Sequence, residues 1–107
     1  MARPQSEMGL IDVLGADFLG RIHKLRAELV QVIKADGSTI EEVSLRCGIS
    51  IETIMEFVRG HEVYRTSMLS KSRARKNLPP KDNISVKTYD LLRKYTDKRL
   101  KIQKESD

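Results

Sequence analysis

Ser50, Glu52, Thr53, Glu56 and Arg59 are hydrogen-bonding residues gathered in one stretch of ten. At 100° per residue, Glu52, Thr53, Met55, Glu56 and Arg59 point away from Ile54 and Phe57, so a helix here presents them on its outer side. Such side chains match the donors and acceptors of base edges in a DNA major groove. A guanidinium meets the two acceptors of guanine, a carboxylate accepts from the cytosine amino group, and a hydroxyl does either. Around them, Thr39, His61, Arg65, Lys71, Arg73, Arg75 and Lys76 supply donors and cations of the kind that hold a phosphate backbone without reading sequence. Glu52 and Glu56 against Arg59 leave the stretch net −1, and phosphates repel each carboxylate. The same charge admits a second reading, a protein-docking surface with Ile51 and Met55 as apolar anchors, as in a small adaptor or inhibitor.

The elements that must position these residues are legible from Ser38 to Gly60, STIEEVSLRCGISIETIMEFVRG. Ser38 and Glu41 have the spacing of a capping box, and the helix they open runs to about Cys47. Gly48 follows the last apolar position, where the chain turns through a left-handed conformation that costs glycine little. Ser50 is the next cap, and Ile51, Ile54, Phe57 and Val58 recur at helical spacing until Gly60. Val43, Cys47, Ile49, Ile54 and Phe57 then meet in one small core between two steeply crossing helices.

This run resembles the lambda-repressor and Cro-like, or XRE-type, helix-turn-helix family. Val43, Gly48, Ile49, Ile54, Phe57 and Arg59-Gly60 stand where that family places its apolar and glycine positions. Ser44 departs from the family's usual alanine, and after Gly60 this chain takes about 24 residues to reach its next helix where the family takes several. The resemblance implies a sequence-specific DNA-binding transcriptional regulator, a repressor of phage, mobile-element or bacterial operon type, acting as a homodimer on a palindromic operator. Double-stranded DNA is the partner it implies, with no cofactor.

Before the motif, Phe18, Ile22, Leu25, Leu29, Val32 and Ile33 form one stripe of a helix from about Asp17, its cap, to Ala35. Asp36-Gly37 breaks it. His23 lies on the polar side with no second ligand at helical spacing, so it reads as a surface residue and no metal site is expected. Residues 1–16 read as a flexible segment, in which Arg3 is either a frayed terminus or a minor-groove arm.

Residues 61–84 form a basic connecting segment, with Pro79-Pro80 stopping any helix. It reads either as a phosphate clamp or as a solvated linker, while Val63, Tyr64, Met68 and Leu69 point to a short helix packed on the body. Residues 85–107 open with a cap at Ser85 and carry Val86, Tyr89, Leu91, Leu92, Tyr95, Leu100 and Ile102, an apolar surface wider than one stripe. One face would complete the fold and the other, through Leu91, Leu92, Tyr95 and Ile102, would pair with a second copy.

The expected architecture is therefore all-α: a compact helical bundle over 17–60 containing the helix-turn-helix at 38–60, with a basic insertion and a long C-terminal helix. The chain has 107 residues with 39% apolar and 5% aromatic, which suits one small helical core. Its single cysteine, Cys47, cannot form an internal disulfide and fits a reducing compartment. No membrane span or secretion signal is evident, so a cytoplasmic, nucleoid-associated protein is expected.

Residues 1–60 carry 7 Lys and Arg against 9 Asp and Glu, whereas residues 61–107 carry 13 against 6. The positive field thus lies behind the motif. No nucleophile elbow, glycine-rich phosphate loop or spaced Cys/His set is present, which argues against an enzyme and against a small-molecule ligand. Tyr64 with Arg65, Arg73 and Arg75 lacks the frame of a strand-transferring tyrosine enzyme.

Overall fold

The apolar stripe of residues 17–35 becomes the axis of the molecule. In the computed structural model, which describes residues 9–67 and 79–106, the helices are α1 (Leu10–Leu14), α2 (Leu19–Asp36), α3 (Ile40–Cys47), α4 (Ile51–Phe57) and α5 (Val86–Ser106), with 3-10 turns at Ala16–Phe18 and Glu62–Thr66. Ile22, Leu25, Leu29 and Val32 of α2 are wholly buried and Ile33 nearly so. Each such side chain contributes about 1.5–3 kcal/mol through burial. Asp17 does not cap α2: it sits in the preceding 3-10 turn, and Phe18 occupies the cap position without a side-chain bond.

The α2 helix stops where Gly37 turns left-handed at φ 68°. Gly37 and Ser38 both donate their N–H groups back to the Ile33 carbonyl, at 3.0 and 3.3 Å, which satisfies the last turn.

The α5 helix lies against α2 in the same direction. Phe18 meets Tyr89 edge to face at 5.2 Å, Glu28 accepts from Arg93 at 3.1 Å, and Asp36 accepts from Arg99 at 2.9 and 3.0 Å. These contacts advance along both helices together, so the two run parallel. A parallel pair needs a crossover, and residues 37–85 supply it with α3 and α4. Ser85 caps α5 as expected, accepting from the Thr88 N–H at 3.1 Å.

Leu92, Tyr95 and Thr96 of α5 are buried within the single chain. Leu92 and Tyr95 are therefore core residues and not an outward pairing face. Pairing of two copies through α5 would rest on Leu91 and Ile102, both half-buried.

Of the segment 1–16 expected to be flexible, residues 1–8 lie outside the described residues, and from Gly9 onward the chain is held against the body. Leu10 is buried, its N–H donates to the Ile84 carbonyl at 2.6 Å, and the Ile11 N–H donates to the Asn83 amide oxygen at 2.9 Å. Gly9 and Ser85 form an antiparallel bridge. A Cβ at Gly9 would lie 2.3–2.4 Å from the Asn83 amide group, so glycine is what lets the two segments close. The connecting segment is likewise anchored where described: Val63 and Tyr64 are buried, and 79–84 returns across the body.

Candidate functional site

The expected capping box of Ser38 with Glu41 does not form; the one a position further on, Thr39 with Glu42, does. Thr39 accepts from the Glu42 N–H at 3.2 Å, and the Glu42 carboxylate accepts from the Thr39 N–H at 3.1 Å. The bond from the Thr39 N–H first, and then one from its hydroxyl at 3.1 Å, hold the Glu42 carboxyl below its ordinary pKa. Ser38 cannot serve because its N–H closes α2, and its hydroxyl accepts from Arg46 at 3.1 Å. A further N–H at the start of α3, that of Ile40, donates to the Thr66 hydroxyl at 3.1 Å. Thr39 is half-buried and its polar groups are engaged locally.

Three residues join α3 to α4. Gly48 is left-handed at φ 73° and its N–H bonds the Ser44 carbonyl at 3.0 Å. Ser44, the departure from the family pattern, donates its hydroxyl to the Ile49 carbonyl at 2.5 Å and so clasps the turn an alanine would leave unclasped. Ser50 caps α4, accepting from the Thr53 N–H at 3.2 Å, and its hydroxyl lies 2.7 Å from that of Thr53. Val43, Cys47, Ile49, Ile54 and Phe57 are all buried, as expected for the core between the two helices. Burial pushes the Cys47 thiol up to about 11, so it stays protonated and inert.

The outer side of α4 differs from expectation. Ser50 and Glu52 are exposed, but Thr53, Glu56 and Arg59 are half-buried, and Met55 is 3% exposed. Met55 is thus a core residue and cannot anchor a partner. Over the C-terminal end of α4 the cause is the returning 79–84 segment. Its Lys81 N–H donates to the Glu56 carbonyl at 2.9 Å, and the Lys81 ammonium stands 3.8 Å from the Glu56 carboxylate. Arg59 donates to the Pro79 carbonyl at 3.3 Å. The Arg59 Nε, also buried, meets no acceptor among the described residues.

Arg26, a charged residue on the core side of α2, fastens this segment. It is 5% exposed. Its Nε donates to the Phe57 carbonyl at 2.6 Å, and its Nη2 to the Lys81 carbonyl at 3.0 Å and the Asp82 carboxylate at 2.5 Å. The guanidinium lies over the Phe57 ring, 4.6 Å from its centre, adding a cation–π attraction. A lone arginine among apolar residues on a helix carries no sequence signal of such a role.

The expected backbone contacts divide. Arg65 is exposed. His61 is half-buried; burial, with Arg26 and Lys34 adding to it, lowers its pKa. It is mainly neutral at pH 7. Lys71, Arg73, Arg75 and Lys76 lie outside the described residues. What the structure brings together at the surface is therefore the N-terminal turn of α4, Ser50 to Thr53, beside the α3–α4 turn. Leu45 of α3 is 86% exposed.

Among the described residues no group of three or more His, Cys, Asp and Glu could hold a metal ion, and no helix is long and apolar enough to cross a membrane. Comparison with protein-family models, curated proteins and solved structures gives no significant match.

Proposed function

We propose that this chain is a sequence-specific DNA-binding regulator of the lambda-repressor and Cro-like type, reading the major groove with the N-terminal turn of α4. The observation that carries this reading is that Ser50 and Glu52 are exposed on a helix start whose opposite side is fixed in the core. Helices of this kind meet base edges with their N-terminal residues while the preceding helix crosses the backbone. Ser50, Glu52 and Thr53 carry the reading. Glu56 and Arg59, held by residues 79–81, do not reach the groove while that segment stays in place.

One exposed helical turn covers few base pairs, so the proposal includes two copies on a palindromic operator with half-sites about one turn of duplex apart. Occupying such a site would block or recruit transcription machinery, with no catalytic step.

Binding to duplexes from the DNA flanking its own gene, across a salt series and against a scrambled duplex, tests this. A strong preference for one flanking duplex is the expected result. Equal, steeply salt-dependent binding to both would show sequence-independent adsorption, and no binding would leave the docking reading. With Met55 buried, that second reading rests on Leu45 and Ile51, and Leu45 favours it by its exposure.

A further inference from the structure

Apart from Lys104 in its last turn, the cations of α5 fall into two sets that the sequence does not distinguish. Arg93 is turned inward, donating to Glu28 at 3.1 Å and pairing with Asp97, and Arg99 is held by Asp36. Lys87, Lys94, Lys98 and Lys101 are all exposed, and none is paired with a carboxylate among the described residues. At 100° per residue these four fall within an arc of roughly 60°, and at 1.5 Å per residue they extend over about 21 Å. They make a straight ridge of positive charge along the outside of the longest helix. Asp90 lies on its flank and Glu105 ends it, both exposed.

We infer that this ridge holds the phosphate backbone of duplex DNA and supplies the sequence-independent part of the affinity; the inference rests on the DNA-binding reading above and places its electrostatic component on α5. Charge complementarity selects the occupant. A row of like charges of this length matches a continuous polyanion, and duplex DNA offers one negative charge per about 1.7 Å of its axis. A lipid surface fits less well, because among the described residues the exposed large apolar side chains are Leu14 and Leu45, neither on α5, and an interfacial helix needs an apolar face beside its charges. Lysine binds phosphate as a mobile point charge, whereas Arg93 and Arg99 are already tied to carboxylates.

The test is the salt dependence of DNA affinity for the full chain, its K87Q/K94Q/K98Q/K101Q variant and a K24Q/K34Q control lying off the ridge. Thermal melts confirm folding, which the ridge substitutions should leave unchanged. With about 0.9 counterion released per neutralised phosphate, the loss of four lysines should take about 3.6 from the slope of log K against log salt. The control should lose less than about 1.

An unchanged slope in the ridge variant overturns the inference, and a persisting preference for one duplex would then leave the groove reading standing. A lost slope with sequence preference indifferent to S50A and E52Q upholds the ridge and overturns the groove reading. Failure of the wild-type chain to bind DNA, or equal ridge-dependent binding to phosphatidylserine vesicles, overturns the ridge as a DNA surface.

Discussion

Arg26 and Asp82, 56 residues apart in the chain, meet at 2.5 Å, and their contact fastens the 79–84 segment across the end of α4. Arg26 also serves the Phe57 and Lys81 carbonyls, so one guanidinium joins α2, α4 and the return segment. Lysine cannot reproduce that fork. Arg26→Lys should lower stability by about 1.5–3 kcal/mol, the range for hydrogen bonds to a charged group, read from the denaturant midpoint. It should also speed hydrogen exchange at the Lys81 amide, which bonds the Glu56 carbonyl.

Thr96 has no exposed surface, and its hydroxyl meets no partner among the described residues. Valine keeps the shape and removes the orphaned group. Thr96→Val should raise stability by about 1 kcal/mol, seen as a higher melting temperature.

Asp36 and His61 contribute to the acid response in separate windows. The hydrogen bond from Arg99 holds the Asp36 carboxyl below its ordinary value. The unfolded chain thus takes up this proton first as pH falls, and the stability is lost below about pH 4. His61 is lowered chiefly by burial; the unfolded chain again binds the proton more readily, and stability falls as pH drops through about 6.5 and below. Urea melts against pH should show both declines, with Asp36→Asn flattening the lower one and His61→Gln the upper.

Cys47, buried with its thiol pushed up to about 11, should resist alkylation at pH 8 in the native protein. Labelling should proceed at the rate of opening and become fast only in denaturant.

What could be read from the residues is what depends on near neighbours. The α2 stripe, the left-handed Gly48, the Ser50 cap and the core of Val43, Cys47, Ile49, Ile54 and Phe57 all follow from spacings of a few residues. The capping box falls one residue later than Ser38, at Thr39, which also has a glutamate three residues on; the way α2 ends, using the Ser38 N–H, decides it. Contacts between remote segments were invisible. Nothing near Gly9 announces Asn83 and Ser85, and nothing near Met55, Glu56 or Arg59 announces burial. A helical wheel identifies the side opposite the core and says nothing of a segment returning over it from 79–84. For the same reason Leu92 and Tyr95 read as a second face, although α5 lies deep enough against the body to bury them.

The most direct test of the account is the effect of Glu52→Gln on base preference, measured by competition among duplexes varied one position at a time around the preferred site. Glu52 is exposed in the first turn of α4. Its loss should relax discrimination at one base pair per half-site by about 1–3 kcal/mol, roughly 5- to 150-fold, while leaving other positions unchanged. An identical preference profile for Glu52→Gln and the wild-type chain would contradict it.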